Sequence, residues 1–384
     1  MNAPRPGLGR LLPGIIGVLM AVDLAARFAP LDPLCFQAWE CLTQYQEPGA
    51  IFQASRQFRS ERTHGNLSNM GNLSGFRQYR SQVFTTDERG FRNPPAMELA
   101  HLDGLVVGDS FVAGYGITDS ETLPAQLGAA GLRFYNAGGP YAYLATAQTL
   151  KTRLGLRDGS VIVVWTESEP LAQLQDAEAK ATHPDARSRA LTSLFGPQGE
   201  RLRGLARGWW YTSPVQILAE KAYLAMANDR VLPNIYADRV VRRRLRSGDA
   251  VLFYPPDVEN FHRHRDVRAA GAYLTWLATE LRKEGLAPFV VLAPSKYSVY
   301  RALLDDPGPE PEDAVHPLAR LEQALRAGGI PALDLTPRFR EQAREDLPKR
   351  EYIYWLDDTH WNGRGVGVAA DLIRRTWFDQ QRLQ

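Results

Sequence analysis

Ser110 stands where a short apolar run ends, and its setting is typical of a reactive serine. The run Gly104–Val107 leads directly into Gly108 and Asp109, which is the pattern of a buried strand that stops at a sharp turn. Such a turn presents a hydroxyl group at the edge of a sheet. A serine is a weak nucleophile unless an adjacent base takes its proton, so the chain must supply that base from elsewhere.

A second segment near the other end of the chain contains a base and two acids close together. These residues are His360, Asp357 and Asp358. A serine, a histidine and an acid can form a catalytic triad in any chain order, because the triad is defined by its geometry. We therefore predict Ser110 as the nucleophile and His360 as the base. Either Asp357 or Asp358 orients the imidazole, and the sequence leaves that choice open.

These two segments resemble the serine and histidine blocks of the SGNH (GDSL-type) hydrolase family. Gly108-Asp109-Ser110 resembles the block that holds the nucleophile, and Asp357 to His360 resembles the Asp-x-x-His block. The resemblance implies acyl transfer through a serine ester, with no cofactor. It also implies that the backbone N–H of Ser110 helps to hold the oxyanion.

Two further blocks of that family concern the oxyanion hole. Asn136-Ala137-Gly138 is similar to the family's second block, whose glycine donates a backbone N–H, so the resemblance implies this role for Gly138. The family's third block usually supplies an asparagine after the third strand, and this chain has none at Thr166-Glu167-Ser168. Loss of one oxyanion donor costs on the order of 10²–10³ in rate. We expect Ser168 to substitute, with Thr166 or a backbone N–H as alternatives.

A narrower resemblance points to a substrate class. Pro294 to Tyr300 and Asp358 to Asn362 are similar to the alginate-acetyltransferase-like branch of the same superfamily, whose members move acetyl groups onto exported polysaccharides. The resemblance implies a polysaccharide or another acylated glycan as the partner. The residues that we predict to bind it are Lys296, Tyr300, Trp361, Asn362 and Tyr141.

Three functions are consistent with these motifs. The first is serine-dependent acyl transfer at the cell envelope, in which an acetyl-serine intermediate O-acetylates an exported polysaccharide. The second is hydrolysis by a carbohydrate or lipid acetyl-esterase. The third is a non-catalytic assembly or binding protein of a polysaccharide export system that keeps an SGNH scaffold. The complete serine and histidine segments favour an enzyme, whereas the missing asparagine favours the third function.

Composition excludes several other classes. The net charge is only +2, so the overall charge of the chain does not favour nucleic-acid binding. The seven histidines are scattered along the chain, which argues against a metal site, because metal ligands of the right type must cluster.

The N-terminus predicts a membrane segment within residues 1–30. Arg5 and Arg10 precede the apolar run Leu11–Val22, which lies between the ~7–15 residues of a signal-peptide core and the ~20 of a spanning helix. We predict an uncleaved anchor in the inner membrane with the catalytic domain in the periplasm. A cleaved signal and a buried helix are the alternatives. Asp23, costly inside a membrane unless paired, suggests contact with a membrane-embedded acyl donor protein.

Cys35 and Cys41 follow this segment and predict a disulfide if the protein is exported. Six residues of continuous helix span ~9 Å, which exceeds the ~4.4–6.8 Å between the Cα atoms of a bridge. A bridge therefore requires a bend between the two cysteines, and two buried free thiols are the alternative.

Alternating apolar runs and amphipathic segments predict an α/β fold, a three-layer sandwich with a central parallel sheet of the SGNH or flavodoxin-like kind. Residues 31–100 form an irregular lead-in that includes a strand, a turn at Gly90 and a second strand. The SGNH-like catalytic domain spans residues 101–384, with a helical insertion at about 171–248. The predicted strands cover residues 105–107, 134–135, 161–165, 251–254, 289–292 and 332–335.

Overall fold

The computed structural model describes residues 8–26, 32–43, 52–182, 213–227, 231–262, 267–308 and 316–379. The strands within these residues are β1 (Gln57–Thr63), β2 (Arg80–Thr85), β3 (Gly104–Gly108), β4 (Phe134–Gly138), β5 (Gly159–Thr166), β6 (Val241–Arg244), β7 (Ala250–Phe253), β8 (Leu286–Ala293) and β9 (Ala332–Asp334).

The α-helices of the same residues are numbered in chain order. They are α1 (Leu8–Ala26), α2 (Ala38–Leu42), α3 (Asn66–Met70), α4 (Ser110–Ala113), α5 (Leu123–Ala129), α6 (Tyr143–Leu154), α7 (Leu171–Thr182), α8 (Pro214–Met226), α9 (Pro255–His262), α10 (Val267–Lys283), α11 (Lys296–Tyr300), α12 (Pro317–Ala327), α13 (Thr336–Asp346) and α14 (Gly363–Ile373).

Five strands form a central parallel sheet in the order β4–β3–β5–β8–β9. The prediction of a mixed α/β fold with a central parallel sheet is therefore confirmed. The predicted strand at 251–254 also exists as β7, but its place was wrong: β7 pairs antiparallel with β6 in a separate two-stranded sheet. The arginine-rich run at 242–244 thus lies in a strand.

The sheet is covered on both faces because most residues of its strands are apolar and buried. Side chains alternate between faces along a strand, so Leu105 and Val107 of β3 join one core while Val106 joins the other. Helices α6, α10 and α12 contribute to the first core, and α5, α13 and α14 to the second. Each buried Leu or Val side chain contributes roughly 1.5–3 kcal/mol relative to exposure. This packing fixes the strand ends that carry the candidate site.

In the described part of the lead-in, β1 pairs antiparallel with β2. The predicted second strand after Gly90 was wrong. The Asp87 carboxylate instead accepts the backbone N–H groups of Arg89 and Phe91 at 2.9 and 3.1 Å and closes a turn. The predicted turn at Gly90 itself is confirmed by a φ of 76°. These two backbone N–H groups are therefore not free to pair with a neighbouring strand.

Cys35 and Cys41 form a disulfide with their Cα atoms 6.1 Å apart, as predicted. Cys41 lies in α2, whereas Cys35 precedes that helix. The backbone bends between the two cysteines at residues 36–37, which supplies the break that the distance argument required.

The insertion and the N-terminus are only partly described. Helices α7 and α8 lie in the predicted insertion, and residues 183–212 fall outside the described part of the chain. Helix α1 covers most of the predicted membrane segment and carries Pro13 inside it. That segment is not supported as a membrane crossing: of the helices in the described ranges, none has both the length and the apolar character to span a bilayer.

Candidate active site

Ser110 is held at the junction between β3 and α4. Asp109 precedes the helix, and its carboxylate accepts the backbone N–H of Phe111 at 2.8 Å, which caps the helix. A Cβ atom at Gly138 would lie 2.3 Å from the backbone nitrogen of Ala113. The glycine therefore allows α4 to pack closely against β4, and the turn presents Ser110 at the carboxyl end of the sheet.

His360 links Ser110 to Asp358 through hydrogen bonds. Its Nε2 lies 2.8 Å from Ser110 Oγ, and its Nδ1 lies 2.6 Å from Asp358 Oδ1. The rings of Phe111 and Tyr115 flank the imidazole, with centroids 5.0 and 5.6 Å away. These contacts restrict the rotation of the ring and hold it between the hydroxyl and the carboxylate.

Asp358 is fully buried, and its second oxygen is also occupied. Asp358 Oδ2 accepts hydrogen bonds from Gln37 Nε2 at 2.5 Å, from the backbone N–H of Asn66 at 3.0 Å and from Arg80 at 3.1 Å. Burial alone would raise the pKa of this carboxyl, but His360 and Arg80 stabilise the charged form and hold the pKa well below its usual range. Asp358 is therefore ionised at neutral pH.

The adjacent acid, Asp357, points to other partners. Its Oδ1 pairs with Arg80 at 2.9 Å, and its Oδ2 accepts the backbone N–H groups of Gly65 at 2.7 Å and Gln78 at 2.9 Å. Asp357 thus ties the lead-in to the segment that carries His360. The geometry resolves the choice that the sequence left open, because Asp358 is the acid that contacts the imidazole.

An open cavity of about 770 Å³ lies over Ser110 and His360. Its walls come from the loops after β3, β4, β5 and β8, together with α9 and the lead-in, which matches the rule that ligands bind at the carboxyl ends of parallel strands. Four carboxyl groups line it: Asp109, Glu167, Glu169 and Asp257. Within the described ranges, no group of acidic, histidine or cysteine side chains has a metal-binding arrangement.

Two of these carboxyl groups, those of Asp109 and Glu169, contact the same threonine hydroxyl. Thr166 Oγ1 lies 3.1 Å from Asp109 Oδ2 and 3.0 Å from Glu169 Oε2. Burial raises the pKa of Asp109, and burial together with the charge of Asp109 raises that of Glu169 well above its usual value. Both groups therefore hold a proton more readily than a free carboxylate does, and at a given pH the pair carries less charge than two free carboxylates.

Ser168 lines the cavity, and its hydroxyl donates to Asp257 Oδ1. Burial raises the pKa of Asp257 to about 7, with a further contribution from the charge of Glu167. Both protonation states of Asp257 are therefore populated near neutral pH. The predicted substitute for the missing asparagine thus lies in the cavity, and its hydroxyl is coupled to a titrating acid.

Gly138 does not fit its predicted role as an oxyanion donor. Its backbone N–H already donates to the side-chain oxygen of Asn136 at 3.0 Å. The N–H of Ser110 remains a candidate, since it opens α4 and the first N–H groups of a helix have no intrahelical acceptor. Gly138 is needed for the close approach of α4. The family motif alone cannot distinguish this structural role from a role in oxyanion binding.

The structure places only one of the five predicted substrate-binding residues on the cavity wall. Tyr141 lines the cavity and is 39% exposed. Tyr300 and Trp361 are buried in the core, so the prediction that they contact substrate was wrong. Asn362 is also structural: its side chain caps α14 by accepting the N–H of Gly365 and donates to the Tyr352 carbonyl at 2.7 Å.

Lys296 was likewise predicted to bind substrate, yet it is 1% exposed. Its ammonium donates to the backbone carbonyls of Trp355, Leu356 and Asp358 at 3.1, 3.2 and 2.6 Å. Burial lowers the pKa of Lys296 to about 7, although the charges of Asp358 and Asp357 oppose this. Lys296 therefore holds the backbone that leads to His360 and does not line the cavity.

Several residues of the site could not be found from the sequence motifs. Gln37 and Arg80 lie in the lead-in and reach Asp358 across almost the whole chain. Asp257 lies in the first turn of α9 and belongs to no recognisable motif. Their polar or charged side chains are the only signal in the sequence, and many exposed residues share that signal.

The match to a known family agrees with this arrangement. Residues 251–382 match the family model of the SGNH hydrolase-like domain of acetyltransferase AlgX. The matched region includes Lys296, Asp358 and His360 and begins after Ser110. No curated protein matches the chain. The family match confirms the predicted resemblance to the SGNH-like, alginate-acetyltransferase-like branch.

Proposed function

We propose that this protein is a serine-dependent acyltransferase that O-acetylates a glycan through an acetyl-Ser110 intermediate. The observation that carries the proposal is the hydrogen-bonded series Ser110–His360–Asp358 at an open cavity. The match to an acetyltransferase-associated domain supports the same chemistry for the C-terminal part of the chain.

The geometry suggests how the first half of the reaction proceeds. Asp358 accepts the Nδ1–H of His360, so the lone pair of Nε2 faces Ser110 Oγ. Ser110 Oγ forms a bond to the acetyl carbonyl carbon while its proton passes to Nε2. The donor's oxygen then leaves with that proton. Asp358 stabilises the imidazolium that forms between these two steps.

The second half reverses these steps with a new hydroxyl group. A sugar hydroxyl gives its proton to His360 and attacks the acetyl carbon, and Ser110 Oγ leaves and recovers a proton. Water in the same position would give free acetate. Transfer therefore depends on how well the cavity holds the acceptor, because correct orientation can contribute ~7–11 kcal/mol.

Features of the cavity support a sugar acceptor. Its volume of about 770 Å³ accommodates more than the acetyl group, and the rings of Trp39, Tyr141 and Tyr254 line its walls. Tyr141 and Tyr254 are both more than a third exposed. Aromatic faces of this kind pack against the apolar face of a sugar ring. The Cys35–Cys41 disulfide supports an oxidising compartment, as at the cell envelope.

The oxyanion would be held by the N–H of Ser110 and the hydroxyl of Ser168. An ionised Asp257 keeps the Ser168 hydroxyl occupied as a donor. A protonated Asp257 can donate to Ser168 Oγ instead, which frees the Ser168 hydroxyl to donate elsewhere. This pair would replace the asparagine that the SGNH pattern usually provides.

One observation favours a second candidate, a non-catalytic glycan-binding protein. The N–H of Gly138 is occupied by Asn136 at 3.0 Å, so one oxyanion donor expected from the motif is unavailable. An incomplete oxyanion hole would lower the rate and leave the cavity able to bind. The two candidates differ in whether Ser110 becomes acetylated.

The test is acetylation of Ser110 by p-nitrophenyl acetate, measured by mass spectrometry of the intact chain and its peptides. We expect the acetyl group on the Ser110 peptide, none in Ser110→Ala, and normal labelling in the exposed control Ser81→Ala. An unlabelled wild-type chain would leave only the non-catalytic candidate. With glycan acceptors added, acetylated glycan should form as acetate release falls, whereas acetate release that no glycan reduces would indicate an esterase.

A further inference from the structure

A second cavity of about 410 Å³ adjoins the candidate active site. Phe36 and Asn69 line both cavities. The smaller cavity is basic: Arg62, Arg77 and Lys221 line it, and none of its described lining residues is acidic. The linings of the two neighbouring cavities therefore differ, since four carboxyl groups line the larger one.

His64 lies in the smaller cavity with both of its ring nitrogens free. The residue is only 7% exposed, and neither Nδ1 nor Nε2 has a hydrogen-bond partner among the described residues. Buried polar groups are normally paired because an unpaired one costs free energy. Arg77 Nε is likewise buried without a partner. These unpaired groups line one small space, which is what a polar ligand site requires.

The electrostatics of the cavity favour an anion. Burial, followed by the positive charges of Arg77 and Lys221, lowers the pKa of His64 to about 3. Lys221 is already paired with Glu40 at 2.8 Å. The charge available to a ligand therefore comes mainly from Arg62 and Arg77, whose planar guanidinium groups suit a carboxylate.

Aromatic rings accompany these charges. Tyr79 is 50% exposed, the Arg62 guanidinium lies 4.6 Å from its ring centroid, and the His64 ring meets it edge-on at 5.8 Å. Phe36 adds a further ring at 5.5 Å from His64. An inorganic ion would not pack against these aromatic rings. A sugar that carries a carboxylate can contact both the rings and the cations.

We propose that Arg62, His64 and Arg77 form a subsite that binds the carboxylate of an acidic glycan while a neighbouring sugar of the same chain reaches Ser110. This assignment rests on the proposed function. The cations of the smaller cavity attract the acidic group, and a hydroxyl group of the neighbouring sugar reaches the nucleophile. The subsite would thereby select the acceptor and set which sugar is acetylated.

The test measures binding in the full-length Ser110→Ala chain, so its result does not depend on turnover. The probes are an acidic hexasaccharide with one carboxylate per sugar and the same hexasaccharide after its carboxylates are reduced to alcohols, titrated by calorimetry at low salt. We expect the acidic form to bind at least about tenfold more tightly, with affinity falling as salt rises. Adding Arg62→Gln and Arg77→Gln together should remove most of that difference.

Arg59→Gln is the matched control, because Arg59 is exposed on the same strand as Arg62 and lines neither cavity. It should leave the preference for the acidic form unchanged. Arg62→Gln alone should weaken binding, and this exposed position keeps the test valid if Arg77→Gln impairs folding. Equal affinity for the two hexasaccharides, or an equal loss from Arg59→Gln, would overturn the proposal.

Two further arms separate the glycan from other anions. Inorganic phosphate and vesicles that contain anionic lipid are added as competitors. We expect neither to displace the acidic hexasaccharide at matched charge concentration. Displacement by phosphate would assign the cavity to a small anion, displacement by vesicles would assign it to a lipid surface, and either result overturns the glycan assignment. Absence of Ser110 acetylation together with carboxylate-dependent binding would reject only the proposed catalysis.

Discussion

Asp358 Oδ1 lies 2.6 Å from His360 Nδ1, whereas the neighbouring Asp357 pairs with Arg80 at 2.9 Å. Arg80 also contacts Asp358, at 3.1 Å. One arginine therefore holds two consecutive carboxylates in different orientations, and only one of them meets the imidazole. This difference separates a role in proton transfer from a role in holding the fold together.

Asp358→Asn should lower kcat by roughly 10³–10⁴ while the chain stays folded, because an amide at this position favours the wrong imidazole tautomer. The measurement is turnover of p-nitrophenyl acetate, together with circular dichroism to confirm folding. Asp357→Asn is the natural control. It should reduce kcat by less than about tenfold but lower the free energy of unfolding by about 1–3 kcal/mol, because it weakens buried, charge-assisted hydrogen bonds. Equal losses of kcat from both variants would contradict this assignment.

Ser110→Ala and His360→Ala should each abolish turnover, and the double variant should be scarcely slower than either single one. The reason is that the two groups act as one unit through the 2.8 Å contact between Oγ and Nε2. The comparison uses kcat for p-nitrophenyl acetate in all four chains, including wild type. Losses that multiply across the two substitutions would mean that the two side chains contribute independently.

The sequence predicted the parallel sheet and the Ser110–His360 pair because both leave local patterns, an apolar run before a turn and a compact His–Asp segment. It could not choose between Asp357 and Asp358, since Arg80 and Gln37, which orient and hydrogen-bond these acids, lie in the distant lead-in. Motif likeness also misplaced Lys296 and Trp361. Residues that shape a site recur at fixed spacings just as ligand-binding residues do, and only burial distinguishes them.

Lys296→Met should remove most turnover, although Lys296 does not contact the substrate. The substitution leaves three backbone carbonyls without this donor in the segment that leads to His360, and two of these contacts are buried. Each buried group left unpaired costs about 1–3 kcal/mol. We expect a lower free energy of unfolding in urea and a fall in kcat with little change in KM. Lys283→Met is the control, because Lys283 is exposed at the end of α10. A rise in KM alone would instead place Lys296 in contact with substrate.

Asp257→Asn should change how stability depends on pH. The pKa of Asp257 is raised from 3.8 to about 7 in the fold, so between these values the folded chain retains a proton that the unfolded chain has released. The contribution of Asp257 to the free energy of unfolding of the wild-type chain is therefore fully present below pH 4 and is lost as pH rises towards 7. The neutral asparagine has no such dependence. The free energy of unfolding of Asp257→Asn relative to wild type should rise by up to about 1.4 kcal/mol per pH unit across this window and then level off.

Asp257→Asn should also raise activity relative to wild type as pH rises. An ionised Asp257 holds the Ser168 hydroxyl more strongly than a carboxamide does, because a charged acceptor strengthens a hydrogen bond. The ratio of kcat for Asp257→Asn to kcat for wild type should therefore increase between pH 6 and pH 8, and taking this ratio cancels the titration of groups that both chains share. In a Ser168→Ala background the ratio should become independent of pH. A ratio that is flat with Ser168 present would show that Asp257 does not act on the reaction through that hydroxyl group.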